Sequence, residues 1–148
     1  LGINNKDGEE TRWSTTASGE YTDGAFGLYL TPRQMAKIGL LMLNNGYWDG
    51  KQIVSRKYVS EAVTPLIDNS YGSSYGLHWW VNENSGAYWA SGMGGQYIIM
   101  YPERDLIVVL TSQGEMPAAL DPTQTLSSEN MVAITTLVKE SIITEAEE

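Results

Sequence analysis

Apolar residues follow two different rhythms along this chain. From Thr31 onward, Met35, Ile38, Leu41 and Met42 recur at helical spacing. Thr31 is a good N-cap and Pro32 suits the first helical position. Gly46, after Asn44 and Asn45, is expected to close the helix as its C′ glycine. Within "YWDGKQIV", Asp49-Gly50 reads as a tight hairpin turn. Ser55 caps a second, short helix ending near Val63, and Thr64-Pro65 stops it. Residues 66–74 form a polar loop. The rhythm then changes to short apolar runs at hairpin spacing: Gly76–Val81, Ala87–Ala90, Gln96–Tyr101 and Leu106–Thr111. "PERD" (Pro102–Asp105) is a turn between the last two, so the runs read as an antiparallel meander. "IIMY" and "LIVVL" are nearly continuous, which predicts strands covered on both faces. A second loop spans 113–127. Ser127 or Ser128 then caps a closing helix to about Thr144, with Met131, Ile134, Leu137, Val138 and Ile142 apolar. That helix is expected to cover one sheet face.

The pattern before Thr31 has no steady period. Leu1 to Phe26 reads as a long irregular segment, of the kind that is functional or disordered. Trp13, Tyr21 and Phe26 argue against disorder, because aromatic rings need somewhere to pack. The expected fold is α+β: an antiparallel sheet of three or four strands covered by a C-terminal helix, preceded by a helix–hairpin–helix segment. The predicted divisions are 1–30 irregular, 31–65 helix–hairpin–helix, 75–112 strands and 127–144 closing helix. They show no internal repeat and no linker.

Composition narrows the function. A chain of 148 residues suits one domain with a core of its own. The net charge is −9, from 9 basic and 18 acidic residues, and no basic stripe appears, so nucleic acid is not an expected partner. The scattered acids read as a solvated surface. No apolar run approaches 18 residues, so no membrane span is expected. With no cysteine there is no disulfide framework, and the single histidine, His78, cannot make a histidine cluster. No metal or other cofactor is expected. The chain begins at Leu1 and not at methionine, so it reads as a piece of a longer polypeptide.

Little catalytic equipment is visible. There is no H-E-x-x-H, no P-loop and no G-x-S-x-G. No S-x-x-K occurs: Lys6, Lys37, Lys51, Lys57 and Lys139 follow Ile3, Gln34, Trp48, Val54 and Thr136 by three places. What stands out is "ASGMGG", Ala90 to Gly95. Glycine weakens a strand and often marks a bulge or the close approach of a ligand. A strand opening with glycines could offer a main-chain N–H to a developing oxyanion. The alternative is a bulge needed only for folding.

Several segments together resemble the serine β-lactamase-like hydrolases: class C β-lactamases, DD-peptidases, esterases and 6-aminohexanoate-dimer hydrolases. Leu1-Gly2 resembles the family's "PLGM" segment. "GLYLTPRQMAKIGLLMLNNGYWDGKQIVS" (Gly27–Ser55) resembles its helix and hairpin. "YGLHWWV" (Tyr75–Val81) resembles "YGYGWWV", and "SGMGGQYIIMYPERDLIVVLTS" (Ser91–Ser112) its last two strands. The resemblance implies the C-terminal part of the β-lactamase/transpeptidase-like fold, without the upstream S-x-x-K and Y-x-N elements. The family's third element, K-T-G or H-x-G, falls on Ala90-Ser91-Gly92, with Ala90 where the cation would be. The resemblance makes the Met93 backbone N–H one oxyanion-hole donor. It places Ala90, Ser91, Gly92 and Gly94 against substrate, and Trp13 and Tyr21 are candidates for the wall of the same cleft.

The implied parent hydrolyses a small ester, amide or peptide through an acyl-enzyme. The chain alone is expected to be inactive, and its expected partners are the missing N-terminal half and, through an exposed sheet edge, another copy. Family members are often exported. The alternative is a non-catalytic carbohydrate- or peptide-binding module, since five tryptophans and nine tyrosines could form a stacking platform. Single residues carry further expectations. His78 is packed or on the surface, within a strand. Trp79 and Trp80 point to opposite faces, one of them into the core. Gln96 could reach the site from its strand but is expected to face solvent, and Arg33 and Arg104 are surface charges.

Overall fold

A computed structural model of the chain describes residues 1–3, 12–24, 26–68, 73–92, 94–112, 133, 136 and 137. The first excursion carries two-residue strands β1 (Arg12–Trp13) and β2 (Leu28–Tyr29), paired antiparallel, and a Thr15–Thr22 bridge between them. The aromatic side chains there are not packed away. Trp13 is 51% exposed, Tyr21 69% and Phe26 71%, contrary to the expectation that they need somewhere to pack.

Helix α1 (Pro32–Leu43) begins as its sequence dictates. Thr31 Oγ1 accepts from Gln34 N, and Gln34 Oε1 accepts from Thr31 N at 2.9 Å. This is a reciprocal capping box, and it explains a glutamine with no exposed surface. At the other end the cap falls at Asn44. Asn45 (φ 53°) takes the left-handed C′ position, and Gly46 (φ 79°) follows it. Gly46 N donates to Leu41 O at 2.7 Å and Asn45 N to Met42 O at 3.0 Å, a Schellman closure. The expected C′ glycine is thus one place late, because asparagine also tolerates that conformation.

Strands β3 (Tyr47–Trp48) and β4 (Lys51–Gln52) form the expected hairpin. Asp49 and Gly50 both have positive φ, as a type I′ turn requires. Helix α2 (Arg56–Ala62) is capped by Ser55 Oγ, which accepts from Tyr58 N.

The main sheet is antiparallel and adds strands in chain order: β5 (Ile67–Asp68), β6 (Ser74–Tyr75), β7 (Trp80–Val81), β8 (Tyr88–Gly92), β9 (Gln96–Tyr101) and β10 (Leu106–Leu110). It is the expected meander, extended by β5 and β6 from ends of the segment read as a polar loop. The run Gly76–Val81 is not one strand. Gly76 N donates to Trp79 O and His78 has φ 68°, so the chain turns there and only Trp80–Val81 is extended. A 3-10 turn at Pro102–Arg104, ended by left-handed Asp105, links β9 to β10. The second loop and most of the closing helix lie outside the described residues. Ala133, Thr136 and Leu137 are helical and exposed.

Both sheet faces are buried around β9. On one face Val81, Tyr88, Ile98 and Met100 meet Met42 of α1 and Val59 and Ala62 of α2, with Met35 and Ile38 packed beside them. Gly39 allows the approach: a β-carbon there would lie 2.9 Å from Ile107 Cγ2 and 3.0 Å from Ile98 Cγ2. On the opposite face Ala87, Ile99, Tyr101 and Val108 form a second cluster. Consecutive residues of "IIMY" are therefore all buried, as their unbroken apolar run predicts.

Candidate functional site

The small residues from Ala90 to Gly95 do not open a strand; they form the tip of a hairpin. Ala90, Ser91 and Gly92 complete β8, and Gly92 pairs with Gln96 at the start of β9. Gly94 (φ 82°) and Gly95 (φ 89°) lie in the connection, where left-handed backbone favours glycine. Met93 lies outside the described residues. The register sets the directions. Tyr88, Ala90 and Gly92 are opposite Met100, Ile98 and Gln96, on the face that meets α1. Trp89 and Ser91 are opposite Ile99 and Tyr97, on the other face.

Exposure rises along β8 from buried Tyr88 through half-buried Ala90 to exposed Ser91 and Gly92. The strand thus emerges from the core with main chain and small side chains at its end. A ligand there can approach the backbone closely. Gln96 braces the tip from within. Its Nε2 donates to Ser112 O at 2.6 Å, tying the start of β9 to the chain just past β10. The side chain is half-buried, not solvent-facing as expected. A β-carbon on Gly92 would stand 3.1 Å from Gln96 Cβ, so the glycine leaves room for that brace. The readable signal was a glycine placed to pair with a long amide across a short connection.

No hydrogen bond or ring contact among the described residues joins Trp13 or Tyr21 to the hairpin. Trp13 Nε1 donates to Asp23 O at 2.6 Å, and Tyr21 O accepts from Thr16 N. Arg12 lies 4.0 Å over the Tyr29 ring and closes the same excursion. Behind the tip, Trp79 packs edge-on to Tyr88 at 5.9 Å, the core role expected of one of the two tryptophans. Trp80 packs against Tyr75 at 4.7 Å. Burial pushes the Tyr88 phenol up from 10.0 to about 12, so it stays neutral at ordinary pH. A shallow hollow at the end of α1 lies elsewhere, with no lining residue from the hairpin. Among the described residues no group of three His, Asp or Glu side chains is gathered as a metal site, and no helix is long and apolar enough to cross a membrane.

The β-lactamase family model matches residues 2–127, a span that contains the sheet, both helices and the hairpin tip. The chain belongs to the β-lactamase family. Among solved structures similar to it is a Bacillus anthracis protein assigned as a 6-aminohexanoate-dimer hydrolase. The two share 23% identity with a TM-score of 0.65, over 91% of this chain and 34% of the other. That likeness shows a common fold, and this chain spans about a third of that relative's length. No match was found among curated proteins. Ala90-Ser91-Gly92 occupies the emerging end of a central strand.

Proposed function

We propose that this chain is the C-terminal part of a β-lactamase-like serine hydrolase domain acting on an uncharged ester or amide. The observation that carries the reading is the end of β8. That end is built of small, uncharged residues, with Ser91 and Gly92 exposed, and by the resemblance it stands where the family carries lysine or histidine. Alanine at position 90 offers no charge to hold a carboxylate. In this reading the Met93 N–H is one oxyanion donor. Ala90, Ser91, Gly92 and Gly94 lie along the acyl group, and Trp13 and Tyr21 wall the cleft. The nucleophile and its base come from the S-x-x-K and Y-x-N elements, which this chain does not contain. The chain alone is therefore inactive.

The test compares a neutral p-nitrophenyl ester with a cephalosporin carboxylate on the chain joined to a segment bearing those elements. Ester turnover well above cephalosporin turnover is expected. Met93→Pro, which removes the N–H, should lower kcat by about 10²–10³. Preference for the carboxylate substrate would overturn the reading, as would fluorophosphonate labelling of the isolated chain. A second reading, a non-catalytic binding module for carbohydrate or peptide, draws on the exposed rings of Trp13, Tyr21 and Tyr29. In the complete hydrolase of this reading the N-terminal half takes the β10 edge that no described strand pairs with; in the isolated chain a second copy does so.

A further inference from the structure

An open hollow lies far along the chain from the hairpin tip. It is an open depression of about 370 Å³ between the last turn of α1 and the β3–β4 hairpin, lined by Leu40, Asn44, Tyr47, Trp48 and Asp49. We infer that it is a saccharide-binding site, in which a sugar ring rests on the aromatic side chains and its hydroxyls bond Asn44 and Asp49.

The lining has the chemistry of such a ligand. A pyranose presents a patch of C–H groups flanked by hydroxyls that both donate and accept. Tyr47, 45% exposed, Trp48, half-buried, and Leu40, 38% exposed, supply apolar surface. The Asn44 amide, Tyr47 hydroxyl, Trp48 indole N–H and Asp49 carboxylate make no hydrogen bond or ion pair with any other described residue. Donors and acceptors are therefore both available at one place. The volume falls at the small end of ligand sites, about 300–1,000 Å³. One carboxylate and no cationic side chain among the lining residues disfavours an anionic ligand. A quaternary ammonium would suit the rings and the carboxylate, but it has no use for the Asn44 and Trp48 donors.

The frame is rigid. Leu40 and Asn44 are one turn apart on α1, and the Schellman closure fixes where the helix stops. Tyr47 N donates to Asn44 O at 3.1 Å, joining the helix end to β3. The type I′ turn holds Asp49 beside Trp48. Geometry set by a helix and a hairpin is what a weak, shallow site needs to select a ligand. No lining residue belongs to the proposed hydrolytic site, so either proposal can fail without the other.

The test is a titration of the full chain with cellobiose, with chitobiose and with tetramethylammonium, followed by NMR at the Trp48 indole N–H. Trp48→Phe assigns that resonance. A saturable shift at millimolar disaccharide is expected. Trp48→Ala and Asp49→Asn should each weaken binding at least tenfold, while Tyr58→Ala, an exposed ring on α2, leaves it unchanged. Asp49→Asn retains a side chain that tolerates the left-handed turn, so it tests the site even where Trp48→Ala perturbs folding. No saturable shift with either disaccharide, a response to tetramethylammonium alone, or binding indifferent to both substitutions would overturn the inference.

Discussion

Tyr88 is where one residue's environment makes a solution property. Its ring is buried between sheet and helices, and Trp79 meets it edge-on. The fold accommodates the phenol and resists the phenolate, so the folded-state pKa of about 12 lies above the ordinary 10.0. Above pH 10 the unfolded chain gives up this proton while the folded chain keeps it. Stability from this group is thus complete below about pH 10 and is lost as pH rises towards about 12. Spectrophotometric titration should show Tyr88 ionising towards about pH 12, together with loss of the fold. Tyr88→Phe should remove that late step and flatten the alkaline fall in stability. A Tyr88 that titrates near its ordinary value of 10.0 would contradict this account. The same residue scale governs the hairpin tip, where the proposed function sets Ala90 in the place of a cation. Ala90→Lys, placed in the proposed complete hydrolase, should raise kcat/KM for a carboxylate-bearing substrate relative to a neutral ester. An unchanged ratio would separate position 90 from substrate choice.

At the scale of elements, α1 is held by its ends and by one glycine. Thr31→Ala removes the acceptor of the capping box and should cost about 0.5–2 kcal/mol, read as a lower denaturant midpoint. Gly39→Ala tests a conflict. Alanine favours a helix interior by about 0.8–1.0 kcal/mol over glycine. The added methyl, however, meets Ile107 and Ile98 inside ordinary contact distance. Crowding of a packed core costs about 1–3 kcal/mol, so net destabilisation is expected. A rise in Tm would show that β9 and β10 yield freely. Such local devices were legible in the sequence because they act over a few residues. Thr31-Pro32, Asp49-Gly50, Ser55 and the apolar stripe of α1 all behave as read. What was not legible depends on residues distant in the chain. β5 and β6 are short strands formed by sheet pairing and not by any apolar run of their own. The "YGLHWW" stretch looked extended, but Leu77 N bonds Ala62 O and draws the chain into a turn against α2. Gln96 looked like a surface residue until its partner, Ser112, was brought alongside. The hairpin tip was half legible: glycine marked an unusual backbone, but only pairing shows that Gly92 ends β8 rather than opening β9.

At the scale of the whole molecule, the sheet has an open side among the described residues. Among the described residues β10 pairs only with β9, which leaves "LIVVL" with one row of main-chain groups uncommitted. Natural edges are commonly guarded by lysine, proline or a bulge, and Leu106–Leu110 has no lysine or proline. The strand also suits itself. Paired antiparallel about Val108, Leu106 would face Leu110 and Ile107 would face Val109, so every opposed pair is apolar. Antiparallel pairing of this kind closes as a two-fold dimer, with two six-stranded sheets continuing into each other. Opposing it is the net charge of −9 on each copy, a repulsion that salt screens. Dimerisation should therefore strengthen as ionic strength rises, the reverse of an interface held by opposite charges. Light scattering across protein concentration and salt should show the mass moving from monomer to dimer. Leu110→Lys, at the half-buried end of the edge, should return it to monomer without loss of far-UV signal. A chain that stays monomeric at high concentration and high salt has its β10 edge guarded, and the proposed self-pairing is then wrong.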